Sequence, residues 1–418
     1  MSLPNVLTYD ASRNNDARHA HRVALTSFNT GPSNKLTVVD LAPQHQHQPG
    51  SAGYGGQGGQ DFTQLASANL AFPATKVAWE PSSSIGRHDG GALLATTGDV
   101  LRIWELTNGE NDPTPAQSRI GYGSRNGYDA SYKLSERSVL SNARRVAAFA
   151  PAVILSRRAN PQSKQHICNL PPITSFSWNP TAPASIVTCS TDTTATLWDI
   201  HTSTALTQLI AHDRAVYDLS WLPQSAEIFV SVGADGSLRA FDLRQLEHST
   251  ILYETPNSAP LARIAFSNRE QHQLACFSMD DSKTLILDMR SPGQPVAELL
   301  GHSAPLSAIA WGNGGSSVGE SGGGWIASAG DDGQILIYDL TEKIPVEPKA
   351  KTSNGPYALS PAVGETPTRT PSPANNAVEY QPVRAWNAPA EINNLAYSRD
   401  GDWVGAVSGQ RLSVVHQV

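Results

Sequence analysis

The sequence predicts an all-β fold built from a repeated unit, and three observations lead to this prediction. A pair of short strands joined by a tight turn that contains Asp recurs along the 418-residue chain. Apolar residues alternate with a period of two inside these strands, as in strands that bury one face. The chain contains 33 Gly and 29 Pro, which favour short strands and turns over long helices. We therefore predict one seven-bladed β-propeller with disordered insertions on one face.

The strand pairs follow one another in chain order, and each is preceded by a strand that ends in an aromatic residue. The second unit joins TKVAWEP (75–81) to LLATTGDVLRIWEL (93–106), and the third joins ITSFSWNP (173–180) to IVTCSTDTTATLWDI (186–200). The fourth to sixth contain IFVSVGADGSLRAFDL (228–243), LACFSMDDSKTLILDM (274–289) and WIASAGDDGQILIYDL (325–340). Asp and Gly tolerate the backbone dihedral angles of these turns, so each pair is predicted to be a hairpin.

Counting the units gives seven blades, which span 22–66, 76–157, 173–210, 215–254, 261–300, 305–386 and 391–418. The last blade has three strands of its own, and we expect residues 4–9 to add its outer strand and close the ring. Residues 10–21 are polar, so the first blade lacks a recognisable inner strand. Either this blade has three strands or the gene model lacks a segment.

Four low-complexity stretches interrupt the repeat, at 42–60, 107–151, 312–324 and 341–379. They contain few apolar residues and are expected to be disordered. All four lie in connections that leave the same side of a propeller, which we call the ragged face. The compact face on the other side keeps short turns and is the better candidate for a docking surface. Thr366, Thr370 and Ser372 each precede Pro in the last stretch and are candidate phosphorylation sites.

The repeated units resemble WD repeats, because Trp198-Asp199 is a literal WD dipeptide and Phe241-Asp242 and Tyr338-Asp339 occupy the same place. In that family a His, a Ser or Thr, the turn Asp and the Trp form a buried hydrogen-bonded network. The corresponding residues are His212, Ser231 and Asp235 in one unit, His302, Ser328 and Asp332 in another, and Asp192 with Trp198 in a third. We expect these groups to be satisfied parts of the scaffold, not catalytic groups or metal ligands.

Segment 207–254, FPATK (72–76) and EINN (391–394) narrow the resemblance further. They are similar to the transparent-testa-glabra adaptors of plants and to their animal counterparts among the cullin–RING ligase-associated factors. The resemblance implies a non-catalytic scaffold that is monomeric within larger complexes. Plant members hold helix-loop-helix and Myb-type transcription factors, and animal members bind protein kinases. The resemblance therefore implies that the partners are kinases and transcription factors. It also implies that the protein resides in both the nucleus and the cytoplasm.

The resemblance also supports an alternative, a substrate receptor of a cullin–RING ubiquitin ligase. Phe241-Asp242-Leu243-Arg244 and Leu287-Asp288-Met289-Arg290 are two successive boxes of the WDxR form, although Phe or Leu replaces Trp. In such receptors the Arg of this box contacts the damaged-DNA-binding adaptor protein of the ligase. The same Arg residues could instead pair with an acidic residue of their own blade, and both interpretations remain open.

Other functions are less well supported by the sequence. A net charge of −7 opposes general binding to nucleic acid, although the basic stretch 110–164 leaves such contact as a lesser alternative. A propeller enzyme is another lesser alternative. Residues 53–58 match a glycine-rich dinucleotide pattern and 315–319 match a nucleophile pattern, but both lie in flexible Gly-rich sequence. We expect no enzyme activity, cofactor, metal or small-molecule substrate.

Cysteine content and hydropathy exclude two further classes. The three cysteines have no CxxC spacing, so neither a disulfide framework nor a structural zinc site is expected. The sequence contains no run of about 18 apolar residues that could cross a membrane.

Overall fold

The computed structural model describes residues 3–9, 22–31, 33–41, 62–81, 92–108, 132–141, 171–312, 324–340, 377–398 and 401–416. Strands are the only regular elements in these ranges, and they form seven sheets arranged as the blades of a β-propeller. This confirms the predicted fold class. The ranges contain no helix long and apolar enough to span a membrane.

The first three blades contain β1 to β12. Their strands are β1 Leu3–Tyr9, β2 Val23–Phe28, β3 Asn34–Leu41 and β4 Phe62–Leu70, then β5 Lys76–Trp79, β6 Ala92–Thr97, β7 Leu101–Asn108 and β8 Tyr132–Leu140, then β9 Ile173–Trp178, β10 Ser185–Ser190, β11 Thr194–Asp199 and β12 Thr204–Ile210. Each sheet is an antiparallel meander whose first strand lies nearest the propeller axis.

The remaining four blades contain β13 to β28. Their strands are β13 Val216–Trp221, β14 Ile228–Gly233, β15 Ser237–Asp242 and β16 Ser249–Glu254, then β17 Leu261–Phe266, β18 Gln273–Ser278, β19 Thr284–Asp288 and β20 Ala297–Leu299, then β21 Leu306–Trp311, β22 Trp325–Gly330, β23 Gln334–Asp339, β24 Val378–Tyr380 and β25 Arg384–Asn387, then β26 Ile392–Tyr397, β27 Trp403–Ser408 and β28 Arg411–His416. Strand β24 joins the sheet of blade 5, and β25 completes blade 6.

The hydrophobic core lies between successive blades. The second strand of blade 4, β14, buries five consecutive residues, because neighbouring blades cover both faces of the strand. The outer strand β12 instead alternates between exposed and half-buried residues. Val230 and Val232 of blade 4 pack with Leu274 and Cys276 of blade 5 in one apolar cluster. The blades are thus held together by side-chain packing across their faces.

The structure corrects the predicted closure of the ring. β1 pairs antiparallel with β2, with Leu7 opposite Leu25, and so forms the inner strand of blade 1. Blade 7 keeps only β26, β27 and β28. β1 lies beside β26 of blade 7 and β5 of blade 2, so it occupies the position between these two inner strands. The expected outer closing strand is therefore wrong, and so is the three-stranded alternative for blade 1, which has four strands.

The structure also corrects the expected disorder of two insertions. The stretch 107–151 contains β8, which pairs along its length with β7, so the fourth strand of blade 2 lies inside the predicted insertion. The stretch 341–379 ends in β24, which pairs with β20. Short alternating segments within low-complexity sequence explain both strands. The stretch 42–60 and the greater part of the other three lie outside the described residues.

Candidate protein-interaction site

The two faces of the propeller differ in the connections that they carry. Links from the first to the second strand and from the third to the fourth strand leave on the ragged face. Links from the second to the third strand, and from one blade to the next, leave on the compact face. The short hairpin turns 191–193, 234–236 and 331–333 all lie on the compact face. The described residues therefore place the predicted networks and the predicted Arg boxes on opposite faces.

The network predicted at blade 4 is present on the compact face. His212 is 1% exposed, and its Nδ1 lies 3.0 Å from Asp235 Oδ1, while its Nε2 lies 2.7 Å from Ser231 Oγ. A carboxylate only accepts, so the Nδ1–H donates to Asp235 and Nε2 accepts the Ser231 hydroxyl. Asp235 also accepts from the backbone N–H of Ser237 at 3.1 Å and from its hydroxyl at 2.8 Å.

Burial lowers the pKa of His212 more than the Asp235 carboxylate raises it, so its imidazole is neutral. For Asp235, burial raises the pKa, but hydrogen bonds from the N–H and hydroxyl of Ser237 and from the Asp213 N–H outweigh burial and lower the net pKa. Both ring nitrogens of His212 are engaged. The geometry is that of a turn fastened to the strand beneath it, which is a structural role.

The network predicted at blade 6 has the same geometry. His302 Nδ1 lies 3.0 Å from Asp332 Oδ2, and its Nε2 lies 2.7 Å from Ser328 Oγ. Asp332 also accepts from the backbone N–H groups of Ser303 and Gln334, at 3.0 Å each. Burial lowers the pKa of His302, as it does for His212. Blades 4 and 6 thus contain the same His–Ser–Asp hydrogen-bonded network.

The aromatic residues in the Trp position do not donate to these networks. Phe241 has no donor and stacks on Phe229 with ring centroids 5.1 Å apart. The Tyr338 hydroxyl donates to the carbonyl of Leu300 at 3.1 Å. Of the three units with a predicted network, only the third retains Trp, and there Trp198 Nε1 donates to Thr188 Oγ1 at 2.9 Å. The aromatic position therefore contributes packing in blades 4 and 6.

Asp192 and Trp198 are not brought together in blade 3. Asp192 accepts from Thr194, from its backbone N–H at 3.1 Å and its hydroxyl at 2.7 Å, and so closes the hairpin turn. The segment that would provide a His for this blade lies outside the described residues. Sequence reasoning missed the matching bond in blade 2, where Trp104 Nε1 donates to Thr96 Oγ1 at 2.9 Å. The signal was a Thr eight residues before Trp104 in the variant unit.

A second polar cluster, which the sequence did not reveal, links the inner strands of blades 2 to 5. Asp218 of β13 is 2% exposed and lies 3.1 Å from Lys76 Nζ of β5. Its carboxylate also accepts from the Ser175 hydroxyl of β9 and from the Ile264 backbone N–H of β17. Burial raises the pKa of Asp218, but Lys76, Arg263 and these hydrogen bonds outweigh burial and lower the net pKa. The buried carboxylate is therefore charged and holds four blades together.

The two predicted Arg boxes lie on the ragged face of adjacent blades. Arg244 Nε and Nη2 donate to Asp242 Oδ1 and Oδ2 at 2.9 and 2.6 Å. Arg290 repeats this with Asp288 at 3.0 and 2.7 Å. Each Asp also accepts the backbone N–H of its Arg, which fixes the turn. Both pairings within a blade are thus present, as one of the two interpretations expected.

Pairing with Asp does not hide these Arg side chains. The side chain of Arg244 is 62% exposed and that of Arg290 is 58% exposed. Glu227 lies 3.1 Å from Arg244 Nε and adds a second acid on blade 4. In both pairs the Asp engages Nε and Nη2, and no hydrogen bond within the described residues involves Nη1. Two guanidinium groups, each paired with an Asp two residues before it, therefore remain accessible on neighbouring blades.

The remaining candidate groups fall into two sets. Cys189 and Cys276 are free and buried, and burial raises the pKa of each thiol to about 12, so neither is a reactive thiolate. Thr366, Thr370, Ser372 and Cys168 lie outside the described residues. Within the described ranges, no three His, Cys, Asp or Glu side chains are grouped as metal ligands would be.

The amino-acid sequence is similar to those of known proteins. The sequence model of the WD domain, G-beta repeat family matches residues 162–199, 203–242 and 293–339. The chain is 31% identical over 408 residues to the DDB1- and CUL4-associated factor 7 homolog of Dictyostelium discoideum. The similar region covers 97% of this chain and 95% of that protein.

Two fungal proteins are similar over comparable lengths. An uncharacterised WD repeat-containing protein of Schizosaccharomyces pombe is 30% identical over 424 residues, or 94% of this chain and 83% of that protein. A WD repeat-containing protein of Saccharomyces cerevisiae is 32% identical over 394 residues, or 85% of this chain and 68% of that protein.

Proposed function

Since the chain belongs to the WD-repeat family that includes the DDB1- and CUL4-associated factor 7 homolog, we propose that it is a non-catalytic adaptor whose ragged face binds the adaptor subunit of a cullin–RING ubiquitin ligase. Membership in this family supports a scaffold role. The name of the Dictyostelium relative associates that protein with DDB1 and CUL4. The sequence by itself favoured kinases and transcription factors as partners. Similarity to the Dictyostelium protein makes the ligase adaptor subunit the first proposed partner.

One observation carries the ligase contact: the two Asp-x-Arg boxes have the same geometry on adjacent blades. Asp242 and Asp288 each hold one edge of a guanidinium and leave it more than half exposed. Hydrogen bonding from Arg244 lowers the pKa of Asp242 to about 2, so the pair stays charged across the physiological range. A partner that places carbonyl or carboxylate oxygens against both Arg residues can accept from their free Nη1 groups without breaking either pair.

The compact face is where we propose that client proteins dock. Its described turns are short and are fastened by the His212 and His302 networks, which gives a surface that needs little ordering upon binding. Protein kinases and transcription factors remain the proposed clients, and the kinship with transparent-testa-glabra adaptors remains part of this proposal. Residence in both nucleus and cytoplasm is proposed on the same basis.

The ligase contact is tested by direct binding of the purified chain to purified DDB1. We expect the double variant Arg244→Ala, Arg290→Ala to bind at least about 30-fold more weakly, as for Arg residues at the centre of interfaces. The matched control removes two exposed Arg residues elsewhere, Arg214 of the compact face and Arg384 of β25. It should bind as the wild type does.

Replacing both box residues by Lys separates charge from geometry. Lys keeps the charge but lacks the planar fork, so an intermediate loss is expected. If the Ala double variant binds DDB1 as tightly as the wild type, or if the control loses as much affinity, the proposed contact is wrong. In that case, kinases retained on the Ala double variant would still support a scaffold without the ligase.

A further inference from the structure

Blade 5 differs from the other blades at its outer edge. Its own fourth strand, β20, has three residues, whereas the fourth strands β4, β8, β12, β16 and β25 have between four and nine. All three residues of β20 are buried, although an outermost strand normally exposes one face. The backbone N–H and C=O groups on the outer edge of such a buried strand need hydrogen-bond partners.

That neighbour is β24, which comes from the connection between the third and fourth strands of blade 6. β24 runs parallel to β20, with Val378 opposite Ala297 and Tyr380 opposite Leu299. The Val378 N–H donates to the Val296 carbonyl at 3.2 Å, and the Leu300 N–H donates to the Tyr380 carbonyl at 3.0 Å. The chain therefore adds a strand to the edge of blade 5 in the manner of a bound peptide.

The resident strand shows what this edge accepts. Val378 and Tyr380 are half-buried against the apolar cluster that contains Ala297 and Leu299, while Glu379 between them is exposed. The edge therefore takes an apolar and an aromatic side chain at alternate positions. Backbone hydrogen bonds supply the rest of the recognition.

The middle position of the resident strand is poorly matched to the edge. Glu379 lies directly opposite Glu298 in the register, so the two acidic side chains project from the same face of the sheet. Glu298 is buried and is held 3.1 Å from Lys283 Nζ. Like charges directly opposite each other destabilise a strand pair, and a basic residue at this position would stabilise it.

We propose that the edge formed by residues 296–300 is a docking site for an extended partner segment with an apolar, a basic and an aromatic residue in sequence, which displaces β24. The short pairing and the opposed glutamates make the resident strand replaceable. The proposal goes beyond the ligase contact, because Arg244 and Arg290 take no part in it. The double variant Arg244→Ala, Arg290→Ala should therefore bind this segment as the wild type does, and each proposal can fail independently.

The test measures the affinity of a fluorescein-labelled peptide of residues 377–383 that carries Glu379→Lys, by anisotropy with the full chain. Val378→Asp in the chain weakens the resident strand and should tighten peptide binding at least about tenfold, because a tethered strand competes at millimolar effective concentration. Glu379→Lys in the chain strengthens the resident strand and should weaken peptide binding. The peptide with the native Glu379 should bind about two- to fivefold more weakly.

Matched controls are Val383→Asp, at a residue 54% exposed, and Glu391→Lys, an equal charge change at an exposed residue outside the edge. Both should bind the peptide as the wild type does. The proposal is overturned if Val378→Asp keeps its melting temperature but binds the peptide no better than Val383→Asp. It is also overturned if Val378→Asp forms dimers in light scattering and does not bind the peptide, since a second copy would then be the occupant. If Val378→Asp unfolds, the other pair of chain variants decides: the proposal is overturned if Glu379→Lys and Glu391→Lys bind the peptide with equal affinity.

Discussion

Removing the Asp235 carboxylate tests the account of the compact face most directly. Asp235 accepts hydrogen bonds from His212 Nδ1 at 3.0 Å and from the Ser237 N–H and hydroxyl. In Asp235→Ala the Nδ1–H of His212, in a residue only 1% exposed, loses its carboxylate acceptor and keeps only the neutral Ser237 hydroxyl, 3.1 Å from Nδ1. The turn loses both Ser237 bonds at the same time.

The size of the effect follows from these losses. Loss of a buried hydrogen bond to a charged acceptor costs about 1.5–3 kcal/mol, and each lost hydrogen bond of the turn costs about 0.5–1.5 kcal/mol. Because the turn can take up water, we expect the free energy of unfolding to fall by about 2–4 kcal/mol in total. Asp235→Asn keeps one acceptor oxygen and should cost about 1 kcal/mol.

Urea unfolding followed by tryptophan fluorescence measures this change, since Trp221 packs edge-on against Phe229 in the same blade. The control is Asp331→Ala at an exposed turn residue of blade 6, which should change stability by less than about 0.5 kcal/mol. The reasoning is refuted if Asp235→Ala is no more destabilising than Asp331→Ala. If Asp235→Asn is as damaging as Asp235→Ala, charge matters more than the acceptors.

Three further predictions follow from the same contacts. Gly233→Ala should be destabilising by about 1–3 kcal/mol in urea unfolding, because its Cβ would lie 2.9 Å from the His212 ring. Folding lowers the pKa of His212 and His302, so the stability that the two neutral imidazoles contribute is fully present above about pH 6.5. That contribution is lost as the pH falls through the folded pKa, and the urea denaturation midpoint should fall with it. Asp218→Ala leaves the buried Ile264 N–H without its acceptor and leaves Lys76 with only the Ser175 hydroxyl, so it should lower the free energy of unfolding by about 3 kcal/mol.

A specific result would contradict each of these three predictions. A Gly233→Ala variant with an unchanged denaturation midpoint would show that His212 can move aside. A midpoint that stays flat from pH 7.5 to about pH 5.5 would show that the buried imidazoles are not neutral in the fold. An Asp218→Ala variant as stable as the wild type would show that the inner-strand cluster does not hold the blades together.

Local pattern was sufficient for the repeat and for the residues of the two His networks. Strand alternation and the Asp turns indicate seven units, because both depend on residues within about a dozen positions of each other. The residues His212, Ser231 and Asp235 could be identified because the turn and the strand beneath it have a constant spacing within a repeat. The exposure of Arg244 and Arg290 also follows from their place directly after a third strand.

Only the tertiary structure decided which strand fills which edge. β1 lies in the inner position of blade 1, and β24 leaves its own blade to join blade 5, because an unpaired sheet edge there offers backbone donors and acceptors. The Asp218 cluster joins four blades that are far apart in the sequence, and nothing in the local pattern around Asp218 indicates its partners. Pairings of this kind depend on which donors and acceptors remain free after the blades have packed, and that is a property of the assembled ring.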